Sequence, residues 1–104
     1  MLAEGKKAVK AVISGKVQGV WFRDWTVQEA QKRHLDGWVR NRTEGTVEAM
    51  FVGDEADVDD MLHACESGPA AARVDRVDVR AAIGIVAKGF VRKPTVDLGE
   101  SRNQ

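Results

Sequence analysis

The residues best placed to do chemistry lie in one stretch, Gly15-Lys16-Val17-Gln18-Gly19-Val20-Trp21-Phe22-Arg23. An alternating run, Lys7–Ser14, precedes it with Val9, Ala11 and Ile13 on one face, and a helical pattern, Phe22–Arg33, follows. The stretch is therefore a strand-to-helix turn. Gly15 and Gly19 admit backbone angles that other residues avoid and leave room for an approaching ligand. No Ser, Thr, Asp or Asn stands at the start of the helix; Trp21 and Phe22 do. Its first amides lack a side-chain cap, and uncapped amides at the positive end of a helix suit an anion. Arg23, in the first turn, has the fork to close over a phosphate or carboxylate. By residue type alone the stretch equally fits a plain surface turn with Arg23 as a solvated charge. It matches neither familiar nucleotide loop, having no Gly-x-Gly-x-x-Gly and no Gly-Lys-Ser/Thr after four spacers.

The elements that must position this turn read in order. After the first helix, which buries Phe22, Thr26 and Ala30 and ends near His34, Gly37–Arg42 is a second strand. Thr43-Glu44-Gly45 is a hairpin loop and Thr46–Val52 a third strand. Asp54 is expected to cap a second helix, whose stripe is Val58, Met61, Leu62 and Cys65, and Gly68-Pro69 stops it. Arg73–Ala81 is a fourth strand with Val77, Val79 and Ala81 on one face, and Gly89–Arg92 a short fifth strand or late partner. The order β-α-β-β-α-β predicts a ferredoxin-like two-layer α+β sandwich, a four-stranded antiparallel sheet with both helices on one face. The chain reads as one domain over residues 1–104, with a core at about 7–95 and loose tails at 1–6 and 96–104.

On the second strand Val39 and Asn41 share a face, and Trp38, Arg40 and Arg42 share the other. If Val39 packs under the helices, Asn41 points to the same side near the strand end, where its amide can hold a ligand or a water. Asn at this place also commonly shapes a hairpin. Trp21 either walls the pocket or fills the gap above the first helix.

Other chemistries find little support. Cys65 lies on an apolar stripe, Ser14 has no His and Asp to partner it, and Asp57, Asp59 and Asp60 read as a solvated face. One Cys and two His, His34 and His63, make a zinc site unpromising, so no metal or cofactor is expected. Lys plus Arg and Asp plus Glu each number 16, which gives no electrostatic case for nucleic acid or an anionic membrane. No apolar run reaches membrane-spanning length, the first residues do not form a signal peptide, and a lone cysteine fits a reducing cytoplasm. A site of this kind must work by positioning and charge. Phosphoryl transfer meets that condition, because its loose transition state needs mainly positioning and stabilised equatorial oxygens. With a carboxylate as leaving group, no general acid is required.

Two motifs, Gly15–Arg23 and Gly37-Trp38-Val39-Arg40-Asn41 with Glu44-Gly45-Thr46-Val47-Glu48, resemble the signatures of the acylphosphatase family. Gly53-Asp54 and Ser67-Gly68-Pro69 are similar too, and the likeness spans about Lys7 to Thr95. The resemblance implies metal-free hydrolysis of a small-molecule carboxyl-phosphate anhydride to carboxylate and inorganic phosphate. It implies that Arg23 and the loop amides of Gly15, Lys16, Val17, Gln18, Gly19 and Val20 hold the phosphoryl group, and that Asn41 orients the attacking water. Arg23 and Asn41 must then share one cavity.

The chain departs from the family in three places. Arg33-His34 stands where members commonly have Leu-Gly; the run Ala81–Ala87 is unusually apolar; and the tail passes the usual end. A monomer is expected, with self-association through Ile83–Ala87 as the alternative to that run packing over the sheet's end. Two other readings stand beside the enzyme: a non-enzymatic anion-binding module on the same fold, and a detached version of the acylphosphatase-like domain of large carbamoyl-transferring maturation proteins.

Overall fold

In the computed structural model, which describes residues 4–97, strand β1 (Lys6–Lys16) turns Val9, Ala11 and Ile13 toward the core. It runs antiparallel to both β3 (Val47–Asp54) and β4 (Arg73–Ala81). Strand β2 (Asp36–Asn41) pairs antiparallel with β3, and β5 (Phe90–Arg92) pairs parallel with β2. The sheet is thus five-stranded and mixed, in the order β4-β1-β3-β2-β5. The short fifth segment is a real strand, so the expected four-stranded antiparallel sheet gains a parallel edge. The reason is topological: Gly37 and Val39 offer one free edge of β2, and the chain from β4 passes beside Lys10, Met50 and Trp38 on the helix-free face to reach it from the opposite edge.

Helices α1 (Phe22–Lys32) and α2 (Glu55–Cys65) pack on the face that carries Val39, Ala49 and Phe51. The helical spacing explains the packing: Phe22, Thr26 and Ala30 of α1 and Val58, Met61 and Cys65 of α2 are all essentially inaccessible. Each large apolar side chain buried here contributes roughly 2 kcal/mol by transfer from water. Leu62 sits at the margin of that core, half-buried. Cys65 is buried deeply enough that desolvation pushes its thiol up to about 12, which leaves it an inert part of the packing.

Helix α1 stops without a glycine. His34 takes the left-handed angle (φ 58), its amide bonds the Gln31 carbonyl and the Leu35 amide bonds the Ala30 carbonyl, which closes the last turn. Asp54 stands at the start of α2, but its carboxylate takes Lys6 Nζ instead of capping, and the Glu55 amide goes to the Gly5 carbonyl. The expected loose residues before Lys7 are therefore tied down at Gly5 and Lys6. Asp59 and Asp60, expected as solvated acids, reach Lys7 Nζ (2.6 Å) and Arg33 Nε (2.8 Å). At the other end Val96 bridges to Arg42, so the chain is pinned there as well; the remainder of the two expected tails lies outside the described residues. In Ala81–Ala87, Ile83 and Ile85 are exposed while Ala82, Gly84 and Val86 are half-buried, so only alternate residues of the run face the protein.

Gly15 holds the strand end that feeds the turn. It lies at a β-bulge opposite β4 with φ 128, and a Cβ there would sit 2.1 Å from the Arg73 carbonyl oxygen. That neighbour is backbone and cannot swing aside. Gly15→Ala should cost about 3 kcal/mol of folding stability, read as a lowered urea midpoint. Gly19→Ala, where φ is 74 but nothing stands within 4 Å of the added carbon, should cost only about 1 kcal/mol. Equal losses at the two positions would show that the close approach at Gly15 is not what demands glycine.

Candidate active site

The turn after β1 enters α1 through Trp21, which adopts a left-handed angle (φ 66) with no side-chain cap on the helix. The first helical bond runs from the Trp25 amide to the Trp21 carbonyl at 3.0 Å, so the amides of Phe22, Arg23 and Asp24 lie ahead of the ladder. Val17 and Val20 are buried in the core and act as the anchors of the turn. Gln18 Nε2 donates to the carbonyls of Arg42 and Thr46, both at 2.8 Å, and so ties the turn to the base of the β2–β3 hairpin. Its side chain is committed there, which leaves its backbone for any ligand.

These ties create one cavity of about 220 Å³ lined by Val17, Gln18, Gly19, Trp21, Phe22, Arg23, Asp24, Asn41 and Arg92. Arg23 and Asn41 both line it, which is the meeting that the family resemblance implies. Val39 is fully buried, which sends Asn41 to the helix-covered side by alternation. Asn41's backbone is fixed by its pairing with Val47 and by the Val96 amide on its carbonyl at 3.0 Å. Among the described residues, no carboxylate lies within ion-pair distance of the Arg23 guanidinium. Trp21 is 77% exposed and lines the cavity, so it walls the pocket and fills no gap above α1. Of the other turn residues named from the sequence, Gly15, Lys16 and Val20 stand outside this lining: Gly15 in the bulge, Lys16 exposed at the end of β1, and Val20 in the core.

Two lining residues escaped the sequence reading. Asp24 and Arg92 face each other across the rim, Arg92 Nη1 donating to Asp24 Oδ1 at 2.9 Å. The pair is separated by 68 residues, and only the parallel pairing of β5 with β2 brings it together. A signal did exist: Phe90 and Arg92 share a strand face, and an apolar Phe90 seeks the core, so Arg92 had to lie on the helix side.

Fold and cavity together define a ferredoxin-like sandwich with an anion-suited pocket at the start of its first helix. The acylphosphatase family profile matches residues 9–92. An acylphosphatase of Rhizorhabdus wittichii is 54% identical over 84 residues, covering 81% of this chain and 85% of that protein. One of Rhodospirillum rubrum is 52% identical over 90 residues, covering 86% and 99%. The solved structure of an acylphosphatase from Coxiella burnetii superposes with a TM-score of 0.83 at 28% identity, covering 86% of this chain and 95% of that one. The chain belongs to the acylphosphatase family, and its reaction is that of a hydrolase acting on acid anhydrides. Among the described residues no helix is long and apolar enough to cross a membrane.

Proposed function

We propose that the cavity holds the phosphoryl group of a small-molecule acyl phosphate between Arg23 and the backbone amides of the turn residues that line it, Val17, Gln18 and Gly19, while Asn41 aims a water at phosphorus. The observation that carries this reading is the shared lining: the Arg23 guanidinium, which has no carboxylate partner among the described residues, the neutral Asn41 amide and the turn residues Val17, Gln18 and Gly19 surround one cavity. The amides ahead of the α1 ladder add the positive end of the helix. Water attacks phosphorus, the P–O bond to the acyl group breaks, and the carboxylate leaves with the bond's electron pair. The water's proton passes to a phosphoryl oxygen of the substrate, so inorganic phosphate and a carboxylate are the products. Arg23 stabilises charge on the equatorial oxygens, and the weakly basic leaving group needs no acid.

On this reading the protein works as one domain over residues 1–104, as a monomer, in the cytoplasm, with no metal and no nucleic-acid or membrane partner. The Rhodospirillum rubrum relative is matched over 99% of its own length, so the likeness extends over nearly all of that acylphosphatase. Against a pure anion-binding module stands Asn41, whose neutral amide adds little to holding a dianion. The decisive assay is hydrolysis of benzoyl phosphate with a chelator present and inorganic phosphate as competitor. Full turnover with competitive inhibition is expected. Phosphate binding with no hydrolysis above background would leave a binding module, and a strict need for a metal would overturn the mechanism.

A further inference from the structure

The anion pocket contains an acid. Asp24 sits in the first turn of α1, next in sequence to Arg23, and lines the same cavity. A carboxylate at a helix start is ordinarily favourable. Here, however, it would repel a phosphate dianion and offer Arg23 a competing partner. Arg23 nevertheless has no carboxylate within ion-pair distance among the described residues. Asp24 is instead held by Arg92 at 2.9 Å. Arg92 is fixed in turn by β5: it pairs with Val39, and the next amide, Lys93, donates to the Val39 carbonyl at 2.8 Å.

Stability does not account for the pair. Its side chains are 49% and 45% exposed, and ion pairs so open to water add little to folding. Its effect on the pocket's charge is larger. The charged lining residues are Arg23, Asp24 and Arg92, two cations and one anion, so the lining carries a net +1. Without Arg92 it would carry none, and the nearest cation left to Asp24 in the lining would be Arg23.

We propose that Arg92 is a positioning residue for the phosphate site: it draws the Asp24 carboxylate away from Arg23 and cancels its charge, so that the Arg23 guanidinium stays free for phosphoryl oxygens. The inference rests on the reading of this cavity as the phosphate site.

The test compares the full-length wild type with Arg92→Gln, Asp24→Asn and the double variant, by inhibition constants for inorganic phosphate and by kcat and KM for benzoyl phosphate. Arg92→Gln should weaken phosphate binding about tenfold, equivalent to about 1.4 kcal/mol, and raise KM more than it lowers kcat. Asp24→Asn should bind phosphate at least as tightly as the wild type. The double variant should recover to within about twofold of the wild type, because the competing carboxylate is gone. A role as a mere clasp between α1 and β5 predicts the reverse, since removing both partners cannot restore a lost tie. Unchanged phosphate affinity in Arg92→Gln, or a double variant as weak as that single one, overturns the proposal. Arg23→Ala judges the parent reading separately: if it binds phosphate as the wild type does, the site assignment fails and this inference fails with it.

Discussion

Arg23→Ala should reduce kcat/KM for benzoyl phosphate by about 10³-fold or more, close to complete loss in an ordinary assay. That factor corresponds to about 4 kcal/mol of transition-state stabilisation. The size follows from the cavity's charge. Among the described residues, Arg23 is the lining cation with no carboxylate partner, since Arg92 is committed to Asp24. Backbone amides of the turn remain after truncation, but they cannot replace a planar, permanently charged fork on phosphoryl oxygens. The inhibition constant for inorganic phosphate should rise as well, because product and transition state share the same oxygens. Removal should also leave the Asp24–Arg92 pair as the only charged groups of the lining among the described residues. A variant that keeps activity within about tenfold of the wild type would mean that the turn amides do the work alone.

Asn41→Ala should lower kcat by about 10²- to 10³-fold, the range seen when a single preorganised hydrogen-bonding group is removed. Phosphate affinity should change by less than about threefold, since a neutral amide contributes little to binding a dianion compared with a guanidinium. This split between turnover and binding separates an aimed water from a bound oxygen. The backbone at Asn41 is held by Val47 and Val96, so truncating the side chain should leave β2 in place. A parallel fall in phosphate affinity and turnover would falsify the water-aiming role and make Asn41 a phosphate ligand. The two variants together therefore assign different tasks to two residues of one cavity, and one inhibitor distinguishes them.

Much of this was legible in the chain. The first strand, both helices and the fourth strand follow from periodicity, and Arg73–Ala81 was read to the residue. Such segments alternate or repeat over many positions, so local pattern and tertiary burial agree. The boundaries that slipped belong to ends where partners decide. The first strand starts at Lys6 because Asp54 lies opposite it, and it runs on to Lys16 because the bulge at Gly15 lets pairing with β4 continue. The cap expected of Asp54 failed for the same kind of reason: Lys6 lies opposite and takes the carboxylate. A lysine far along the chain is invisible to a rule that looks only three residues ahead.

The site divides in the same way. Residue types and spacing alone marked the glycine-bounded turn, the uncapped helix, Arg23 and the face of Asn41, because each depends on neighbours within a few positions. Tertiary structure decided which of those groups meet. It spent the Gln18 side chain on the hairpin, sank Val17 and Val20 into the core, and brought Arg92 across 68 residues to Asp24. The physical reason is that a three-residue strand carries too little pattern to announce its partner, and charge in a pocket is a sum over elements that only folding brings together.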